Sequence, residues 1–564
     1  MASSVISSVL PGTHAVPPAR SMRRTTVVSR VECYWVFGSV FTLCTAVAAW
    51  FALIVQDVIS DALARTLAAM TAAHSAYPKL ASLGFIWPPL PSIMQVPLVE
   101  IPALATYGFS GGIVCALFAG GTAVVFDLVF ARAGLSRPVR FAALALLMIL
   151  NPFMLFYSVN GMSEMPFIFC VAAATYCFLR WTDTEQSGWL TAAGGASALM
   201  VLTRYDAVFY SAAFAFAVIF VLWGQSRDIT QADRRASRQS FVPMVSANVA
   251  MYLTPVIFMT TLWVFFNWQI EGNALYFLNS VYSNAYLFSL SGLTPIALHL
   301  QSSPVVFLTY ILETIFGLSP LLLVALFVLA ALAVIERSAK RAALILLLLI
   351  VPLFEWMSLR QGQTFGFWRY YITLIPAGAI AGAEVVRLAP TEHAHRATVA
   401  LLLGGLAFGA LTIAVVMDIG GHDRFMDSNP ICSSVSVVDR DFLHALVHPT
   451  EKIDACAPER NMASYIITHT HDRAVLTDIS GEGVVVMSAQ PSRFVLLSDG
   501  DYNTIARNPA GAVDYLLVAR GDLAYHALDG YFTDLDAPKP PGLTLEYQSG
   551  KLKLYRIPPD YQAR

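Results

Sequence analysis

Apolar residues run along this chain in blocks too long and too continuous for the helices of a soluble core. They fall near 34–55, 105–130, 139–158, 165–180, 188–203, 207–223, 246–267, 304–335, 341–357, 370–387 and 396–417, with short polar breaks between them. A helix needs about 17–25 mostly apolar residues to cross a bilayer, so the pattern predicts about eleven spanning helices. The blocks stop after Asp418. Over 418–564, VVVM (484–487), FVLL (494–497) and YLLV (515–518) are short β-branched or aromatic runs bounded by Gly, Asp, Ser and Pro, which predicts strands, and Glu459–His469 has a helical pattern. A small α/β domain is expected there. Residues 1–30 carry Arg20, Arg23, Arg24 and Arg30 without an apolar run. They read as a disordered cytoplasmic tail, followed by an uncleaved signal anchor instead of a cleavable signal peptide.

The charges between the blocks orient them. With the N-terminus in the cytoplasm, successive inner loops carry Arg132, Arg137 and Arg140; Arg180; Arg227, Arg234, Arg235 and Arg238; Arg337, Lys340 and Arg341; and Arg387 and Arg396. The loops on the other side are poorer in Lys and Arg, as the positive-inside rule requires. An odd number of spans then puts 418–564 outside the cytoplasm. Composition agrees: 57% of the 564 residues are hydrophobic and 13% are charged, against about 25% charged in a soluble domain. The expectation is a multi-pass α-helical protein of the plasma (inner) membrane, divided into a tail (1–30), a transmembrane domain (31–417) with an extracytoplasmic loop (56–104), and an extracytoplasmic α/β domain (418–564). The net charge of −2 gives no sign of a nucleic-acid partner.

Candidate chemistry gathers at the expected outer boundary. The loop after the first block opens QDVISDALARTLAAM, with Asp57 and Asp61 four residues apart and Arg65 one further turn along. In a helix all three share a face. Carboxylates at the lip of a bilayer are costly unless they are used. An acid pair beside an arginine suits an anionic lipid headgroup and the deprotonation of a hydroxyl. One aspartate alone would equally mark the water boundary.

Other polar groups have two readings each. Glu164, in NGMSEMPF, is a candidate substrate-orienting acid or a first-turn acid behind a Ser163 cap. Arg204 and Asp206, in LTRYDA, are site residues or a local ion pair at a turn. Arg369, in GFWRYY, is a phosphate ligand or a snorkelling residue within an aromatic belt of Trp368, Tyr370 and Tyr371. Glu355 reads as a hydrogen-bonded acid within a span. The aromatic segment 268–303 reads as a re-entrant or interfacial loop that could cover a lipid-facing cleft. Of seven cysteines, Cys432 and Cys456 alone fall in 418–564, which suggests a disulfide in an oxidising compartment. The THTHD run at 468–472 reads as an exposed polar turn or strand in preference to a metal site. No metal or cofactor is required by the pattern, and a divalent cation is allowed.

Taken in order, these features form a layout. A first span exits into a long loop opening with Asp, short turns carry acids and arginines, a late loop ends in Arg-Tyr, and a soluble domain follows on the same face. The layout over 34 to about 390 resembles the integral-membrane glycosyltransferases of the GT-C fold, in the branch of protein mannosyltransferases and aminoarabinose transferases. DALARTLAA and LGFIWPPLPS within 61–92 are similar to the opening loop of family-39-like members. The resemblance implies a polyprenyl-phosphate monosaccharide donor, an extracytoplasmic glycan, lipid or protein acceptor, and inversion at the anomeric carbon. It implies Asp61 or Asp57 as general base, Arg369, Arg204 and Arg65 as donor-phosphate contacts, and Glu164 and Asp206 as substrate-orienting acids. Many relatives open this loop with Asp-Glu, whereas this chain has Asp-Val and Asp-Ala, so both aspartates stay candidates.

Two other functions compete. A secondary transporter or lipid flippase would also need acids and arginines at membrane depth, but no internal repeat is evident and a large loop after the first span is unusual for one. A catalytically silent scaffold would present the outer domain alone. A cleft where Asp61, Glu164 and Arg369 converge would favour the transferase.

Overall fold

The computed structural model describes residues 27–56, 58–227, 234–280, 283, 294–419, 430–432, 456–519, 527–535, 537 and 540–563. Most of the expected tail, and Asp57, therefore lie outside the described residues. Among the described residues, eight helices are long and apolar enough to cross a membrane, and a bent pair makes up to nine. The eight are Arg30–Ile54, Pro102–Arg132, Glu164–Thr184, Ala207–Ser226, Phe241–Glu271, Ala339–Arg360, Trp368–Leu388 and Glu392–Val416.

All eleven expected segments are helical, but three are not simple spans. The segment 304–335 splits into Pro304–Leu318 and Pro320–Ile335, bent by 111°. The break is at Ser319 (φ −154°, ψ 73°), where the following proline removes a backbone donor and bars its predecessor from helical geometry. The segment 139–158 is helix Arg137–Leu144, a π-turn over Ala145–Ile149 and helix Pro152–Tyr157. The segment 188–203 is a 14-residue helix, Gly188–Val201. The end of the bundle remote from the loop 56–104 is closed by buried ion pairs. Arg132 donates to Asp183 (2.6 and 3.0 Å) and Glu384 (2.6 Å), and Arg140 donates to Asp127 (2.7 Å) and Glu32. Arginines that the sequence presents as loop charges are thus tied into the protein.

Between the first two spans, Gln56 takes a left-handed conformation (φ 55°) and ends the first helix. A two-residue strand β1 (Val58–Ile59) and the helix Ser60–His74 follow. The strand pairs antiparallel with β2 (Pro430–Cys432). The C-terminal domain is built on β3 (Val475–Thr477), β4 (Phe494–Val495), β5 (Tyr515–Ala519), β6 (Thr544–Ser549) and β7 (Leu552–Arg556), in spatial order β4-β3-β5-β7-β6. The first three are parallel, and β7 runs antiparallel to both β5 and β6. The helix Ala457–His469 lies where expected.

VVVM, expected as a strand, lies instead in the helix Glu482–Ser488. A short apolar run carries no periodicity that separates the two states. Here the run is buried along its whole length against other elements, so packing overrides β-propensity.

Alternation along the strands sends Val475, Tyr515, Leu517, Leu552 and Leu554 to one face, and Leu476, Leu516, Val518 and Tyr555 to the other. The first face shares its core with Val58, Leu63, Ala69 and Met70 of the first loop. The C-terminal domain is therefore seated directly on the loop that carries Asp61. Cys456 is disulfide-bonded, while Cys33, Cys44, Cys115, Cys170 and Cys177 are free.

Candidate active site

The helix Ser60–His74 makes the spacing of its charges meaningful. Asp61 is in its first turn and Arg65 lies one turn on, on the same face. Thr66 of this helix donates to Gln95 (2.7 Å), and Ser110 of the second span donates to the same oxygen (2.8 Å). The fully buried Gln95 thus fixes the helix against the rest of the loop and the bundle.

Glu164 reaches the same place through a close backbone approach. Gly161 (φ 81°) packs against Ala62 and Gly111, and a side chain built on it would meet the Ala62 Cβ at 3.2 Å. The left-handed φ and the tight contact both call for glycine. Ser163 stands at the N-cap of helix Glu164–Thr184, but its side chain makes no capping bond. The turn LTRYDA is tied to the loop by Leu90 N–H donating to Leu202 O (2.9 Å) and by Tyr205 Oη donating to Ile86 O (2.6 Å). Phe277, within the expected covering segment, stacks on Tyr205 at 4.7 Å; most of 281–293 lies outside the described residues.

These elements bring the expected residues together. Arg369 Nη2 donates to Asp61 Oδ2 at 3.1 Å, and its guanidinium lies over the rings of Tyr370 (5.2 Å) and Phe367 (5.6 Å). Arg369 is buried, not snorkelling. Arg204 joins three carboxylates: Glu164 (3.0 Å), Asp206 (2.8 Å) and Glu355 (3.5 Å). The local ion pair of Arg204 and Asp206 is present and is part of a wider network. Tyr370 lies beneath Arg204 as well, at 5.4 Å.

Arg65 differs from the other two arginines. It is 7% exposed and sits over Trp87 at 5.1 Å. Its Nε and Nη1 are buried and, among the described residues, have no hydrogen-bond partner. Burial holds its pKa below the ordinary arginine value; Asp61 and Glu164 oppose this, and Arg204 and Arg369 add to it. All five groups therefore feel one another. A buried guanidinium with unused donors fits an anion with several oxygens, because leaving such donors unpaired is costly.

Sequence reasoning passed over Glu355 as a structural acid and did not single out Trp87, which the sequence places in the same loop as Arg65. It also missed Glu482. That residue starts helix Glu482–Ser488, which packs on helix Ser60–His74. Its carboxyl is pushed up to about 8 by burial, then by Asp61 and Asp478. Nothing in the run GEGVVVM marks it. The THTHD histidines form no cluster with other ligands: among the described residues no group of three His, Cys, Asp or Glu is placed to hold a metal. His469 stacks on Tyr465 instead, at 4.1 Å.

This geometry defines the class: a bundle of membrane-spanning helices with an acid–arginine cluster at one end, roofed by a loop helix and an α/β domain. It is the GT-C fold. The chain is similar in structure to ArnT from Cupriavidus metallidurans bound to undecaprenyl phosphate, with 12% identity, a TM-score of 0.53, and coverage of 94% of this chain and 98% of that one. It matches the apo state of the same protein with 11% identity, a TM-score of 0.52, and 92% and 97% coverage. In sequence, the family described as dolichyl-phosphate-mannose-protein mannosyltransferase matches residues 108–257. No curated protein matches the sequence. The family match and the structural likeness fall within the branch of the GT-C fold that the sequence layout resembles.

Proposed function

We propose that this protein is an inverting glycosyltransferase that moves one sugar from a polyprenyl-phosphate donor to a hydroxyl of a cell-envelope glycan, lipid or protein on the extracytoplasmic side. The observation that carries the reading is the Asp61–Arg369 contact beside Arg65, whose buried donors are unused. Asp61 is the general base. One of its oxygens accepts from Arg369, and the other is free among the described residues to take the acceptor proton. Arg65 and Arg369 receive the donor phosphate, and their planar forks match its oxygens. Arg204, already engaged by three carboxylates, acts by holding Glu164 and Asp206 in place.

In the reaction the acceptor oxygen attacks the anomeric carbon as Asp61 removes its proton, and the bond to the phosphate oxygen breaks. The electron pair leaves with polyprenyl phosphate, whose added charge the two guanidiniums stabilise. ArnT was crystallised with undecaprenyl phosphate, which supports a lipid phosphate as the ligand of a site with this fold. A transporter would need a midplane site; the acids and arginines here gather instead at one end, under a soluble domain.

The test is to incubate purified protein with a panel of polyprenyl-phosphate monosaccharides and measure released polyprenyl phosphate. Release that Asp61→Asn abolishes supports the assignment, and no release from any donor overturns it. Adding EDTA to the same assay decides whether a divalent cation takes part.

A further inference from the structure

The segment that delivers Asp61 has little of its own to hold it. Asp61 is the second residue of helix Ser60–His74, and Ile59 at the N-cap makes no side-chain capping bond. The strand before the helix, β1, is two residues long and pairs with β2 alone, apart from the five-stranded sheet and with an irregular register. An isolated two-stranded ladder is marginal in water even when it is longer than this. A further restraint on β1 is needed to keep Asp61 at its 3.1 Å contact with Arg369.

Cysteine chemistry supplies that restraint. Cys432 is the β2 residue opposite Val58. Cys456 stands at the N-cap of helix Ala457–His469, is fully buried, and shares a core with Val58 and Leu63. Its Sγ lies 3.7 Å from Gln56 O, at the left-handed residue that ends the first helix. Cys456 is disulfide-bonded and five of the seven cysteines are free, which leaves Cys432 as its partner. One bonded residue thus pairs with Val58 and the other touches Gln56. The bond joins β2 to the C-terminal domain, and β2 carries β1. It also shortens the connection from Ile419, the end of the last span, to that domain.

We propose that the Cys432–Cys456 disulfide is a positioning device for catalysis: it clamps β1 and sets Asp61 against Arg369, so that full turnover requires the bond. The sulfurs take no part in the transfer and act only through Asp61. Such a bond forms and persists in an oxidising compartment, so the chain acquires a correctly placed base only there. This rests on the assignment of Asp61 as general base above.

The test uses the full chain in detergent, purified without reductant, and the same donor panel. Under denaturing conditions, thiol labelling should count five thiols before reduction and seven after it; seven before reduction overturns the proposal. Cys432→Ala should lower kcat for release of polyprenyl phosphate by up to about 10²-fold, the cost of misplacing a catalytic group by about 1 Å. Its affinity for polyprenyl phosphate, set by Arg65 and Arg369, should stay at the wild-type value. In an Asp61→Asn background the same substitution should cost nothing further, because groups that act as a unit are not additive. An unchanged kcat in Cys432→Ala overturns the proposal. So does an equal loss in both backgrounds, or a loss of phosphate affinity as large as the loss of kcat, since either is what a merely structural bond would give. If Cys432→Ala does not fold, wild type reduced in the folded state decides it. Dithiothreitol gives two electrons and two protons to the disulfide and leaves as its own cyclic disulfide; the rate should fall as the count rises to seven thiols and return on reoxidation to five. A reduced enzyme as fast as the oxidised one overturns the proposal. Wild-type protein that releases no polyprenyl phosphate removes the transferase reading itself, whatever the thiol count.

Discussion

At the scale of single residues, Asp61, Arg65, Glu164, Arg204, Asp206 and Arg369 were all legible in the sequence. A charge at membrane depth is expensive, and each of these needed a reason to be there. What the sequence did not contain was their division of labour. Three carboxylates occupy Arg204, while Arg65 keeps two buried donors unused among the described residues. Asp61→Asn keeps the shape and removes the base, so donor turnover should fall about 10²–10⁴-fold with donor binding retained; turnover near the wild-type rate would remove Asp61 from the mechanism. Arg65→Lys should recover less donor affinity than its retained charge alone predicts, because an ammonium lacks the fork that Trp87 holds flat. Direct binding of polyprenyl phosphate to wild type, Arg65→Lys and Arg65→Ala measures this, and equal affinities would return Arg65 to a packing role.

Glu482 could not be found from sequence, since Asp61 comes near it only through the docking of the loop helix on the C-terminal domain. Its ordinary value of 4.5 rises to about 8 on folding. Between those values the folded state holds a proton that the unfolded state has lost. Stability from this group therefore falls as pH rises through that window and levels off above it. Glu482→Gln does not titrate, so its melting temperature relative to wild type should climb from about pH 5 to about pH 8. A constant difference across that range would show that Glu482 is not held protonated.

At the scale of elements, long apolar blocks were the most legible feature, because a bilayer-spanning length needs no tertiary information. The failures are local. The 111° bend between Leu318 and Pro320 was hidden because a bent helix pair has the composition of one span; Pro320 was its marker. VVVM folds as a helix because its neighbours, not its propensity, decide. Positive-inside arithmetic read Arg132 and Arg140 as loop charges, and it cannot tell a solvated arginine from a buried one. Arg132→Ala would remove the 2.6 Å partner of Glu384, 5% exposed at its side chain, and leave it paired with Arg387 at 2.8 Å. Breaking a buried pair so that a charge is left uncompensated costs about 3–5 kcal/mol. With Arg387 still in place the loss should be smaller than that but still above the worth of an exposed pair, so this variant should melt below wild type in detergent. A loss under about 1 kcal/mol, the worth of an exposed pair, would show that water reaches this network.

At the scale of the whole molecule, the loop helix and the C-terminal domain form one structural unit. Leu63, Ala69 and Met70 lie in the same core as Ile466, Val484 and Leu517, and Arg473 packs over Tyr77 of the loop at 4.7 Å. The domain therefore lies on whichever side of the membrane the active site does, and one labelling experiment orients both. We propose, from the charge bias of the inner loops, that this end lies outside the cytoplasm, where a lipid-linked donor and an envelope acceptor would meet. Thr468 is exposed on helix Ala457–His469, and a cysteine there reports on the domain. Cys33 is free and partly exposed near the start of the first span, at the opposite end, and provides an internal control. In intact cells a membrane-impermeant maleimide should modify Thr468→Cys without permeabilisation, whereas Cys33 should require it. The reverse pattern would put the domain, the loop and Asp61 together on the cytoplasmic side, and with them any acceptor the enzyme could use.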